Sequence, residues 1–308
     1  MNDYIYELEV NNLSINFSMY EKYLRKKIFT PISNLSIKAK KGEIITIVGA
    51  SGSGKSLLAH AIMGILPKNA IVTGDIKYKG KIINDRIKNL RGKHICFIPQ
   101  SVNYFNPLVK IGNQIVIDNS EKSKIVMKNS LKKYDLPEKI KNLYPFECSG
   151  GMIRKALIST VDQVEPTVII ADEPTPGLGI SMASNILKYF RNFANNGKAV
   201  IIITHDIDIA VKYSDKIAVF YNGTILEITN AKNFIKGEEY LHHPYTKGLY
   251  NALPQNGFKV DKNILDYNTN IECCVYFNNC NKANELCKKN IPLRLINDDE
   301  FVRCIYDT

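Results

Sequence analysis

The stretch "GASGSGKS", residues 49–56, follows the β-rich run Ile44–Val48 and opens the segment "SLLAHAIMGIL" (56–66). The apolar residues of that segment recur at helical spacing until Pro67 stops it. A glycine-rich turn of the form G-x4-G-K-S between a strand and a helix reads as a phosphate loop. Its glycines let the backbone wrap phosphates with N–H groups, and the dipole of the following helix favours negative charge. Gly49, Ala50, Ser51, Gly52, Ser53, Gly54, Lys55, Ser56 and Leu57 are therefore expected to hold a nucleotide. Lys55 is expected to reach its terminal phosphates, and the Ser56 hydroxyl to bind Mg²⁺.

Two further apolar runs end in chemistry. "VIIADEP" (168–174) places Asp172 and Glu173 at the C-terminal end of a buried strand, where open α/β sheets bind ligands. Asp172 suits Mg²⁺, and Glu173 suits activation of a water. "IIITHD" (201–206) brings Thr204 and His205 to the end of the next strand, Ala199–Thr204, where His205 is expected to act in catalysis by contacting the γ-phosphate and helping to hold the water. Helical patterns follow these strands at 182–195 and at Ile207–Tyr213. Fully apolar strands alternating with helices predict an α/β fold with a parallel sheet covered on both faces. Outside it, 8–17 reads as a strand, and "GDIKYKGKII" (74–83) and the Gly223 turn after "IAVFY" read as hairpins. Residues 101–160 are polar-helical with breaks at Pro107 and Pro137, and after about Asn230 the pattern loosens into a Cys-, Asn- and Lys-rich tail.

A second anion signal lies a hundred residues on. In "ECSGGMIRK" (147–155) a serine and two glycines precede an apolar-patterned run, which is the signature of another helix N-terminus.

The bulk numbers narrow the class. At 308 residues the chain has room for a large core. It opens on "MNDYIYELEV", without the features of a signal peptide, and no apolar run approaches the ~20 residues of a membrane span. A net charge of +11 suits a lysine-rich solvated surface, an anionic membrane face or nucleic acid. The lysines are scattered rather than striped, so no nucleic-acid partner is expected. Of seven cysteines, Cys273, Cys274, Cys280, Cys287 and Cys304 crowd the tail, a pattern that suits metal binding better than disulfides in a chain with no secretion signal.

The order of phosphate loop, Gln100, "CSGGM", "ADE" and His205 resembles the ATP-binding cassette (ABC) ATPases. "IPQSVNYFNPLVKIGNQI" (98–115), "YPFECSGGM" (144–152) and "HHPYTKGLYNALP" (242–254) are similar to motifs of the oligopeptide, dipeptide and nickel importer ATPases of that family. The resemblance implies a RecA-like parallel core, an antiparallel β subdomain, an inserted helical subdomain at about 101–160, and a cysteine-containing C-terminal extension. It divides the chain into a cassette, 1–230, and the extension, 231–308. It also implies that two cassettes pack head to tail, so that Ser149, Gly150 and Gly151 would bind the γ-phosphate held by the partner's phosphate loop. Gln100 becomes the Q-loop glutamine, which touches Mg²⁺ or water. Tyr23 becomes the aromatic that stacks on adenine, with Phe17 and Tyr20 as alternatives. Cys274, Cys280, Cys287 and Cys304 match a family spacing, and four thiolates suit either zinc or a [4Fe–4S] cluster.

The expected activity is ATP hydrolysis driving import of peptides, nickel or metal chelates from the cytoplasmic face of the membrane. The expected partners are a second ATPase subunit, two permease subunits and an extracytoplasmic solute-binding protein. "TPGLGIS" (175–181) departs from the family's T-x-x-L-D: Gly179 stands where the D-loop aspartate belongs. Ile153, Arg154 and Lys155 replace the usual Arg-Gln-Arg. The first departure keeps open a largely non-hydrolysing regulatory subunit of the same pair. A non-transport ABC ATPase acting on nucleic acid has only the basic charge in its favour.

Overall fold

The computed structural model describes residues 5–20, 26–257 and 273–306. Its strands are β1 (Tyr6–Tyr20), β2 (Lys26–Lys40), β3 (Ile44–Val48), β4 (Ala70–Tyr78), β5 (Lys81–Ile82) and β6 (Ile95–Ile98). The second half adds β7 (Val168–Asp172), β8 (Ala199–Thr204), β9 (Lys216–Tyr221), β10 (Thr224–Asn230), β11 (Arg294–Asn297) and β12 (Glu300–Val302). They form a four-stranded sheet, β2-β1-β4-β5, and an eight-stranded sheet, β11-β12-β10-β9-β3-β8-β7-β6. The first is antiparallel throughout. In the second, the stretch from β9 to β6 is parallel, and β10 to β11 is antiparallel.

The parallel strands read as continuous apolar runs because both faces are covered, and period-2 alternation sorts their side chains. Ile45, Ile47, Ile170, Ile201 and Ile203 pack with helix Lys55–Met63 and the antiparallel sheet. Their alternates Ile44, Ile169, Ala171, Val200 and Ile202 pack under helix Ile180–Asn195 and the helical subdomain. That subdomain holds helices Ile111–Ile115, Glu121–Lys133 and Gly150–Ser159. Among the described residues no helix is long and apolar enough to cross a membrane.

The tail is more ordered than its composition predicts. β12 pairs with β10, placing the C-terminal hairpin on the edge of the main sheet. Polar composition hid this because the hairpin is held largely by polar contacts. Asp299, at its turn, accepts from Tyr6 Oη at 2.7 Å, pairs with Lys40 and lies 3.4 Å from Lys216. Glu300 accepts from Thr229, the Asn230 backbone and Asn233.

Candidate functional site: a phosphate loop and an acidic strand end

β3 and helix Lys55–Met63 aim the 49–56 loop at the end of the parallel sheet. Gly54 caps the helix with φ 104°, a left-handed conformation that glycine adopts without strain. Lys55 is buried, and its Nζ donates to the carbonyls of Gly49 (2.8 Å) and Ala50 (2.7 Å). Burial lowers its pKa, while Glu173 and Asp172 pull the other way. The ammonium thus braces its own loop.

Asp172 ends β7, and Glu173 follows at φ 44°, a backbone conformation uncommon for a residue with a side chain. Asp172 is buried, and its Oδ1 has no hydrogen-bond partner. Burial raises its pKa, with the Ser56 hydroxyl opposing and the Glu173 charge adding. An orphaned carboxylate oxygen beside a serine hydroxyl fits the all-oxygen donor set of Mg²⁺. Glu173 Oε1 lies 2.8 Å from His205 Nδ1, and Thr204 Oγ1 donates to Oε2 at 3.3 Å. The pair opens onto a cleft of about 580 Å³ walled by the 175–180 loop and by helix Ile207–Tyr213. Gln100 follows β6 and is exposed.

Ser149 N-caps helix Gly150–Ser159, its Oγ accepting from the Met152 N–H at 3.3 Å. Ser149 and Gly150 are exposed. The second helix tip is therefore as the sequence reads, carried on the helical subdomain. Tyr23 lies outside the described residues. Phe17 sits in β1 opposite Phe29 and packs against the core.

Residues 32–176 match the family model described as ABC transporter, and residues 226–287 match that of the oligopeptide/dipeptide transporter C-terminal region. The oligopeptide transport ATP-binding protein OppD of Bacillus subtilis is 32% identical over 80% of this chain and 72% of its own length. The dipeptide transport ATP-binding protein DppD of Lactococcus lactis subsp. cremoris is also 32% identical, over 83% of this chain and 76% of that protein. The chain belongs to the ABC transporter ATP-binding family. Among solved structures, cbiO1 of Clostridium perfringens, part of an ABC transporter complex, superposes with a TM-score of 0.62 at 28% identity, covering 77% of this chain and 93% of that one. The cassette MJ0796, solved as a dimer in a post-hydrolysis state with ADP and phosphate, has a TM-score of 0.64 at 25% identity, covering 73% and 98%.

In this ABC cassette the tail cysteines form no disulfide. Among the described residues no three His, Cys, Asp or Glu side chains are grouped to hold a metal. The expected four-thiolate centre is therefore not set up as the residues stand. The thiols are neighbours all the same: burial pushes Cys274 up to about 12, with Cys287, Cys280 and Cys304 each adding to the shift.

Sequence reasoning missed two buried arginines. Arg303 donates to the carbonyls of Ile225, Ile291 and Asn34, and with Cys273 and Cys274 lines a cleft of about 700 Å³ that also touches Gly52, Ser53 and Gly54. Arg154 donates to the Pro99 carbonyl. The Arg303 bonds to Asn34 and Ile225 and the Arg154 bond to Pro99 join residues far apart in sequence, so no local pattern announces them.

Proposed function

We propose that this chain is the ATP-hydrolysing subunit of a membrane importer for oligopeptides or dipeptides. It would work at the cytoplasmic face with two permease subunits and an extracytoplasmic solute-binding protein. The carrying observation is the convergence of Lys55, Asp172, Glu173 and His205 at one edge of the parallel sheet, in a chain whose relatives are named for peptide transport. Nickel or metal chelates as cargo rest on motif resemblance alone.

In this reading residues 49–57 bind the ATP phosphates and Lys55 neutralises their terminal charge. Ser56, Gln100 and Asp172 hold Mg²⁺, which supplies further charge neutralisation when bound. Glu173 takes the proton of the attacking water while His205 and Thr204 fix its carboxylate. Ser149, Gly150 and Gly151 face the nucleotide of the partner cassette, so one chain supplies two half-sites. Residues 1–230 act as the cassette and 231–308 as an extension, and nucleic acid has no part.

The partner is proposed to be a different cassette. Gly179 N-caps helix Ile180–Asn195 without a side-chain cap and faces open space, so the contribution of a D-loop aspartate is missing from this chain. One experiment separates the hydrolysing reading from the regulatory one: Glu173→Gln in this chain, assembled with a wild-type partner. We expect ATP binding to persist and turnover to fall by about a hundredfold or more. Unchanged transport and turnover would make this chain the regulatory member.

The finer proposal for the tail is that Cys274, Cys280, Cys287 and Cys304 draw together around a [4Fe–4S] cluster or zinc. Their mutual proximity supports it. So does buried Arg303, whose charge faces Cys274 and whose pKa burial lowers to about 10. Anaerobically purified protein is expected to carry iron with visible absorption, or stoichiometric zinc without it. Protein containing neither metal would end the proposal.

A further inference from the structure

Arg154 sits in the second turn of helix Gly150–Ser159, five residues after the Ser149 cap. It is 5% exposed. One Nη donates to the Pro99 carbonyl at 3.1 Å, and its Nε is buried with no partner. No carboxylate pairs with it among the described residues. An uncompensated guanidinium in such a place is costly, and an apolar side chain of similar volume is usually neutral or better for stability. What the residue does provide is position. Pro99 is the last residue before Gln100. The same helix also packs on the turn Val102–Tyr104, just beyond Gln100. The helix that carries Ser149 thus grips the Gln100 segment on both sides, and Arg154 makes the polar part of that grip.

We propose that Arg154 is a positioning residue that ties the Ser149 helix to the Gln100 segment, so that the two nucleotide-facing ends of one chain move as a single piece. This rests on the functional reading above, in which Gln100 serves this chain's own ATP and Ser149 serves the partner's. A nucleotide closing on either end would then shift the other without any new contact between the two sites. The tie is one charge-assisted hydrogen bond, so it should tolerate a single-point donor in place of the planar fork.

The test compares Arg154→Met and Arg154→Lys with wild type in the full chain. The readouts are backbone hydrogen exchange across 100–104, thermal midpoint, and ATP turnover in the assembled pair. In Arg154→Met, exchange should rise and kcat fall, each by about tenfold, the worth of one hydrogen bond from a charged donor, while KM for ATP moves by less than about twofold. Its thermal midpoint should stay level or rise, because a buried unpaired charge has gone. Arg154→Lys, which keeps the donor, should recover both exchange and kcat. Wild-type exchange in Arg154→Met, or a loss of kcat that merely tracks a lower thermal midpoint, would overturn the proposal, as would failure of lysine to restore the segment. A wild-type pair with no turnover would sink the functional reading instead, and hydrogen exchange would still decide the tie.

Discussion

Gly49 has no room for a side chain. A Cβ there would stand 2.4 Å from the Phe220 carbonyl oxygen of β9, and its φ is not left-handed, so space rather than backbone freedom requires the glycine. The phosphate loop is seated directly on the neighbouring strand, and that seating aims the Lys55 ammonium. Gly49→Ala should push the loop off β9, costing about 1–3 kcal/mol by overpacking. It should also weaken ATP binding by about tenfold or more, since small misplacements at a reacting group are expensive. Calorimetric ATP titration together with a thermal melt checks both; wild-type values in each would refute the steric account. Glu173 illustrates the complementary case. It stands at φ 44°, and its carboxylate meets His205 while that of the adjacent Asp172 meets Ser56.

At the scale of elements, the "HHPYT" segment explains its own composition. His243 N-caps helix Pro244–Asn251, with Pro244 at a position where a missing N–H is harmless. Its Nδ1 accepts from the Tyr245 N–H at 3.0 Å, which only an unprotonated Nδ1 can do. Glu227 of β10 accepts the backbone N–H groups of His242 and His243, at 3.0 and 2.7 Å. Burial pushes Glu227 up from 4.5 to about 7 and His243 down from 6.5 to about 3. Glu227 holds its proton more tightly when folded, so its contribution is full below about 4.5 and fades as pH rises to about 7. His243 excludes its proton when folded, so its contribution is full above about 6.5 and is lost as pH falls toward 3. Between 4.5 and 6.5 the two slopes oppose. Glu227→Gln should leave His243 alone, so the variant's stability should climb with pH across that window by up to about 1.4 kcal/mol per pH unit relative to wild type. Urea denaturation at several pH values measures this, and parallel profiles for the two proteins would contradict it.

For the whole molecule, the extension is sewn to the cassette at several points distant in sequence. Asp299 reaches Tyr6, Lys40 and Lys216, and Arg303 reaches Asn34 and Ile225. The C-terminal hairpin thereby becomes the edge of the sheet whose other members hold the phosphate loop. The cleft shared by Gly52–Gly54, Cys274 and Arg303 brings the cysteine-bearing segment beside the 49–56 loop. In the proposed head-to-tail pair, the same body presents both its own loop and the exposed Ser149 tip to its partner.

The sequence alone determined the parallel core, the helix after the loop, the acidic strand end with His205, and the second helix tip. Each is a local pattern: short apolar runs with fixed punctuation, where glycine, serine and lysine have few alternative readings. It left the tail as loose chain, because polar residues carry no periodicity that reveals a partner. Tertiary structure alone decided that Glu227, Glu300, Asp299 and Arg303 would hold that tail to β10 and β1, and that Arg154 would sit against Pro99. Those contacts are hydrogen bonds and ion pairs between residues 15 to nearly 300 positions apart. Those made by Glu227, Glu300, Arg303 and Arg154 gain strength from burial, which exists only once the chain has closed over them.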